Sequence, residues 1–203
     1  MRFFQPYVGA HYAQGLFGGR CVLIIGESHY EEEGCPPCTD ETTQKVITDH
    51  IECGNVPYLS YIEGIAGGTR ASRAREEFWS CVAFANFIQA PMATPATRPT
   101  KEEVKGSLEP TLQTIAELRP DVIFVFSRLA YNELPYLMPG GDAERSVKLT
   151  DGKWVWRYAQ TDGHMIHAAC FSHRSAHANP PVEVWQAWAD RVWDIIEQDR
   201  LPT

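Results

Sequence analysis

Three short segments hold the side chains with chemical potential. Gly26-Glu27-Ser28-His29-Tyr30 sets an acid, a hydroxyl and an imidazole in succession. Asn86-Phe87-Ile88-Gln89-Ala90-Pro91 opens on a carboxamide, and Ser172-His173-Arg174-Ser175 brings a second imidazole beside a cation. A carboxamide can match the donor and acceptor edge of a nucleobase. An imidazole can hydrogen-bond a base carbonyl as negative charge develops there. A carboxylate can activate water or shield an oxocarbenium-like sugar. Simpler readings stand beside these. Glu27 can accept N–H groups of its own loop, and asparagine is a common turn former. Ser28 with His29 and Glu27 also suggests a hydrolase of small molecules, but a nucleophile elbow needs glycine two places after the serine, where Tyr30 stands.

All three segments follow apolar runs. Cys21-Val22-Leu23-Ile24-Ile25-Gly26, Cys81-Val82-Ala83-Phe84-Ala85, Val122-Ile123-Phe124-Val125-Phe126 and Ile166-His167-Ala168-Ala169-Cys170-Phe171 each predict a buried strand. Thr100 followed by Glu103 is a capping box, and Leu108, Leu112, Ile115 and Leu118 recur at helical spacing until Pro120. Ser127 predicts a cap for a helix to about Leu137. Asp151-Gly152 predicts a hairpin between Val147-Lys148-Leu149 and Trp154-Val155-Trp156. A last helix opens at Pro180-Pro181 with Val182, Trp185, Ala189, Val192, Trp193 and Ile196 on one core-facing stripe. Strands alternating with helices predict one three-layer α/β/α domain over residues 1–203, its central, mostly parallel sheet having four strands. Ligands of such sheets bind beyond the carboxyl ends of the strands, where the three segments lie.

Residues 31–75 read as an insertion with its own helix near Thr42 to Glu52. Cys35, Cys38, His50 and Cys53 within it have the spacing of a structural zinc site. Arg70, Arg73 and Arg75 form a cationic cluster suited to phosphates, or else a solvated loop. Tyr58 and Tyr61 are candidates to stack on a bound base, whereas Phe78 and Trp79 read as core.

The middle segment has a further context. Asn86 through Pro91, then Arg98-Pro99-Thr100-Lys101-Glu102-Glu103-Val104, then Leu118-Arg119-Pro120-Asp121-Val122-Ile123, resembles the uracil-DNA glycosylase superfamily. Gly26-Glu27-Ser28-His29-Tyr30 is similar to the family's glycine-led turn after the first strand. His173-Arg174-Ser175 matches part of its His-Pro-Ser motif. The resemblance spans roughly residues 21 to 182 and implies a family-like fold. It also implies a hydrolase of base excision repair that cuts the base–deoxyribose bond of uracil or a related damaged base. The implied partner is DNA, and the products are free base and an abasic site. Asn86 would read the extruded base, and His173 would stabilise the departing anion. Tyr30 would exclude the thymine methyl, while Arg174 and Ser175 would press into the duplex. Ser28 stands where many members keep a catalytic Asp or Asn, which leaves Glu27 or His29 to organise the water. Ala90 and Ser107 occupy the places where the iron–sulfur branch has cysteines, so no cluster is expected and no cofactor is required. A non-catalytic binder of damaged or abasic DNA is one alternative, and the small-molecule hydrolase using Ser28, His29 and Glu27 is the other.

Composition constrains this only loosely. The chain has 203 residues, 44% of them hydrophobic, enough for one core. Its formal charge of −8 is unusual for a nucleic-acid binder, although counterion release needs only a local cation cluster. No apolar stretch long enough to span a membrane and no signal-peptide pattern is present. Six scattered cysteines fit a reducing compartment. A cytoplasmic monomer is expected.

Overall fold

A computed structural model describes residues 2–31, 34, 36–69, 74–137, 147–148, 153–171 and 180–199. The chain is an α/β protein built on one mixed sheet. The strands are β1 (Tyr7–Val8), β2 (Val22–Gly26), β3 (Val82–Asn86), β4 (Val122–Val125), β5 (Val147–Lys148), β6 (Trp154–Ala159) and β7 (Met165–Cys170). The helices are α1 (Thr42–Cys53), α2 (Pro57–Ala66), α3 (Arg75–Ser80), α4 (Lys101–Leu118), α5 (Arg128–Leu137) and α6 (Val182–Gln198).

The sheet order is β1-β3-β2-β4-β7-β6-β5. All four expected strands form, and β3, β2, β4 and β7 lie side by side in parallel. The expectation of four strands is corrected to seven. β1 joins β3 antiparallel, and β6 and β5 continue antiparallel beyond β7. These additions are short or half-exposed edge elements, which lack the continuous apolar runs of strands covered on both faces. The β5–β6 pair matches the expected hairpin arms, while its turn at Asp151-Gly152 lies outside the described residues.

Alternate residues of the central strands feed two cores. Val22, Ile24, Val82, Phe84, Val122 and Phe124 pack with residues of α1, α2, α3 and α6. Leu23, Ile25, Ala83, Ile123 and Val125 pack with residues of α4 and α5. The result is three layers, helices on both faces of the sheet. Ile47, Leu59, Ile62 and Ile65 belong to the first core, so the segment read as an insertion supplies part of a covering layer. Phe78, Trp79, Trp185 and Trp193 are buried, as their core reading requires.

Local signals account for the helix ends. Thr100 Oγ1 accepts from the Glu103 N–H at 3.2 Å while Glu103 Oε2 accepts from the Thr100 N–H at 2.7 Å. Arg119 closes α4 in the left-handed region at φ 45°, and Pro120 prevents continuation. Pro110 sits inside α4 without ending it. Ser127 Oγ accepts from the Ala130 N–H at 3.2 Å and caps α5. Among the described residues no helix is long and apolar enough to cross a membrane.

Candidate functional site

The register of β2 and β3 sets Gly26 directly opposite Asn86. Beyond that pair the two post-strand loops remain zipped together. Phe87 N–H donates to the Gly26 carbonyl at 3.1 Å and Ile88 N–H to that of Glu27 at 2.8 Å. Further out, Met92 N–H donates to His29 O at 2.9 Å and Glu31 N–H to Met92 O at 2.8 Å. This pairing fixes two of the three chemical segments side by side at the carboxyl edge of the sheet.

Asn86 is 5% exposed, and its amide crosses over Gly26. A Cβ on Gly26 would collide with Asn86 Oδ1 and lie 2.8 Å from the ring of Phe84, so only glycine allows that approach. The backbone of Asn86 is braced by Gln89, whose Nε2 donates to Asn86 O at 2.9 Å. Gln89 Oε1 also accepts from the N–H groups of Phe3 and Phe4 at 3.1 and 3.0 Å, which ties the N-terminal segment to this loop.

Glu27 receives a hydrogen bond from the buried Ser127 hydroxyl, at 2.9 Å on Oε2. Because Ser127 Oγ accepts from the Ala130 N–H, its single proton is free to point at the carboxylate. From sequence alone, Ser127 is legible only as the cap of α5. Its position just after the β4 run, equivalent to that of Glu27 after β2, is the signal that could have found it.

Tyr58 donates to Phe126 O at 3.5 Å. Burial pushes the Tyr58 phenol well up, and the charges of Glu27, Tyr30 and Tyr61 push in the same direction, so the four groups share one neighbourhood. Tyr61 is packed edge-on to Phe126, with centroids 6.2 Å apart. Tyr30 and Ser28 are half-buried. The structure thus gathers Glu27, Asn86, Tyr30, Tyr58 and Tyr61, with Ser127, around the ends of β2, β3 and β4. Phe171 N–H donates to Val125 O at 2.8 Å, so the chain leaves β7 at this same edge. His173, Arg174 and Ser175 lie outside the described residues, as do Arg70, Arg73 and Cys35.

Several expected groups are held by interior partners. His29 is buried, with Nε2 2.8 Å from Thr43 Oγ1 and its ring 4.7 Å from that of Phe4. Burial lowers its pKa to about 4, which keeps the imidazole neutral near pH 7. His50 is fully buried, and its Nδ1 accepts from the Val56 N–H at 3.2 Å while Nε2 lies 2.8 Å from Glu63 Oε1. With both nitrogens used, this imidazole offers no lone pair to zinc, so the expected ligand set loses its histidine. Cys38 Sγ contacts Tyr30 O at 3.8 Å and Cys53 is exposed. Among the described residues no group of three metal-ligating side chains forms. Arg75 donates to Glu63 Oε1 at 3.1 Å, so the one described member of the arginine cluster is ion-paired within the fold. Ser107, in a place where the iron–sulfur branch has cysteine, is buried and donates to Glu103 O at 2.7 Å.

Two cavities, of about 580 and 230 Å³, open at the opposite edge, around Arg20, Asp121, His164 and Ile166. Neither includes Glu27 or Asn86.

No protein-family model matches the chain, and no curated protein is significantly similar to it.

Proposed function

We propose that the chain is a uracil-type DNA N-glycosylase of base excision repair, acting on uracil or a related damaged base. The observation that carries the reading is the pairing of Gly26 with Asn86, which brings the loop that bears Glu27 beside the buried Asn86 at the carboxyl edge of parallel strands. Four parallel strands within three layers are also what the family resemblance calls for, and it is on that resemblance that a glycosylase-like fold is proposed.

In the proposed reaction the C1′–N bond of the deoxynucleotide breaks and a C1′–O bond to water forms. The base departs with the bonding electrons, and the water loses a proton. Glu27, steadied by Ser127, is the group suited to orient that water and receive its proton. It also offers negative charge to the oxocarbenium-like sugar. Asn86 is suited to pair with the edge of the extruded base, and Tyr30, Tyr58 and Tyr61 are proposed to flank it. His29, held on Thr43, is the weaker of the two candidates for activating the water. His173 is proposed as the donor to the departing base from the family pattern alone. The chemistry draws on no cofactor. A cytoplasmic setting is proposed with it, on the few, scattered cysteines of the sequence.

The test is incubation of the purified chain with a uracil-containing oligonucleotide, followed by alkali. Strand breakage at uracil is expected. Intact strands would overturn the proposal, and intact strands with a mobility shift favouring abasic DNA would establish the non-catalytic binder instead. Ser28→Asp introduces the carboxylate that many members of the superfamily it resembles have, and is expected to raise turnover.

A further inference from the structure

We propose that the cavity at the amino edge of the sheet is a binding site for a phosphate-type oxyanion, seated on Arg20 between His164 and His167. This site lies across the sheet from Glu27 and Asn86 and does not depend on the glycosylase reading. It is a cavity of about 580 Å³ lined by Arg20, Asp121, Arg157, His164, His167 and Asp199, with Met165 and Ile196 as apolar wall.

Arg20 carries the argument. Its side chain is 24% exposed, yet its one charge partner is Asp121 Oδ1 at 3.5 Å, and among the described residues its guanidinium donates no hydrogen bond. A mostly buried guanidinium with unspent donors beside a cavity calls for an acceptor. Phosphate oxygens match its fork in a bidentate manner.

The two imidazoles have a nitrogen each to contribute. His164 Nε2 lies 2.9 Å from Pro120 O, and a carbonyl only accepts, so Nε2 carries the proton. Its Nδ1 stands 3.9 Å from Asp121 Oδ1, beyond hydrogen-bond distance. His167 Nε2 donates to Asp199 Oδ2 at 2.7 Å, which likewise leaves Nδ1 as the spare atom. Either Nδ1 can accept from a protonated phosphate oxygen.

The acids do not close the site to anions. Asp199 receives Arg157 through two hydrogen bonds of 2.6 Å as well as His167. Asp121 receives the Cys21 N–H at 2.8 Å besides its pairing with Arg20. Two guanidinium groups therefore balance two carboxylates. The volume exceeds that of phosphate alone, and Met165 and Ile196 can cover an organic substituent, so free phosphate and a phosphomonoester are the two sources of this chemistry.

Calorimetric titration of the full chain with inorganic phosphate and with phenyl phosphate, at constant ionic strength, tests the proposal. Saturable binding with one site per chain is expected, weakened about tenfold or more in Arg20→Gln and in His164→Gln. Tighter binding of phenyl phosphate would identify a phosphomonoester site, and equal binding a phosphate site. Ring signals of His164 and His167 in the unsubstituted chain are expected to shift on titration while those of His11 stay put, a readout independent of how the variants fold. Absence of saturable binding, or unmoved His164 and His167 signals, would overturn the assignment.

Discussion

Ser127 donates to Glu27 across one hundred positions of sequence, a 2.9 Å bond that locks the turn after β2 to the first turn of α5. One serine proton thereby orients the only carboxylate that directly follows β2, while the serine oxygen caps the helix. The site and the α4–α5 layer are joined at this atom.

Replacing Glu27 with Gln is therefore expected to lower turnover on a uracil-containing oligonucleotide by about 10²–10³-fold, the usual scale for a positioned acid or base, with little change in KM. Ser127→Ala should lower turnover by less, about tenfold, and should also lose about 1 kcal/mol of stability with the helix cap. Single-turnover kinetics and urea midpoints on both variants separate the two effects.

Asn86→Ala is expected to reduce kcat/KM by at least about a hundredfold, since an unread base is no longer held. Its unfolding midpoint should stay near that of the unsubstituted chain. Gly26→Ala should reproduce the catalytic loss without removing the amide, because the added methyl occupies the place of Asn86 Oδ1. Equal loss of activity and stability in Asn86→Ala would mark the residue as structural.

His29 makes stability depend on pH in a defined direction. Its folded pKa of about 4 lies below the ordinary 6.5, so the unfolded chain takes up the proton first. The stability that His29 confers is complete above about pH 6.5, declines as pH falls, and is exhausted below about pH 4, a loss on the order of 3 kcal/mol. Denaturant midpoints at pH 7 and 4.5 should differ less in His29→Gln, which can still bond Thr43, than in the unsubstituted chain.

Glu63 concentrates three donors on one oxygen: His50 Nε2 at 2.8 Å, Arg75 Nε at 3.1 Å and Trp79 Nε1 at 2.6 Å. Glu63→Ala leaves buried N–H groups without an acceptor and is expected to cost about 3 kcal/mol or more. Urea unfolding measures it. Addition or chelation of zinc should leave the midpoint of the unsubstituted chain unchanged, since His50 is spent on Glu63 and Val56.

Much of this architecture can be read along the chain. The apolar runs at 21–26, 81–85, 122–126 and 166–171 announce the central strands, and Thr100 with Glu103 marks where α4 begins. The tryptophan stripe of α6 declares a buried face. In each case the information is local, because strand burial, helix period and end caps act between residues a few positions apart. It also directs attention to the residues after the strands, and so to Glu27 and Asn86. Tertiary structure decided the rest. Whether Glu27 meets Ser127, whether His29 turns to Thr43, and whether His50 and Arg75 spend themselves on Glu63 all depend on which strands and helices become neighbours. The edge strand β1 is chosen the same way, by an available partner rather than by its own side chains, and so is the pairing of β6 with β7. Neither Arg20 nor His167 is marked by sequence as part of a site, and they share a cavity because parallel pairing brings the starts of distant strands to one edge.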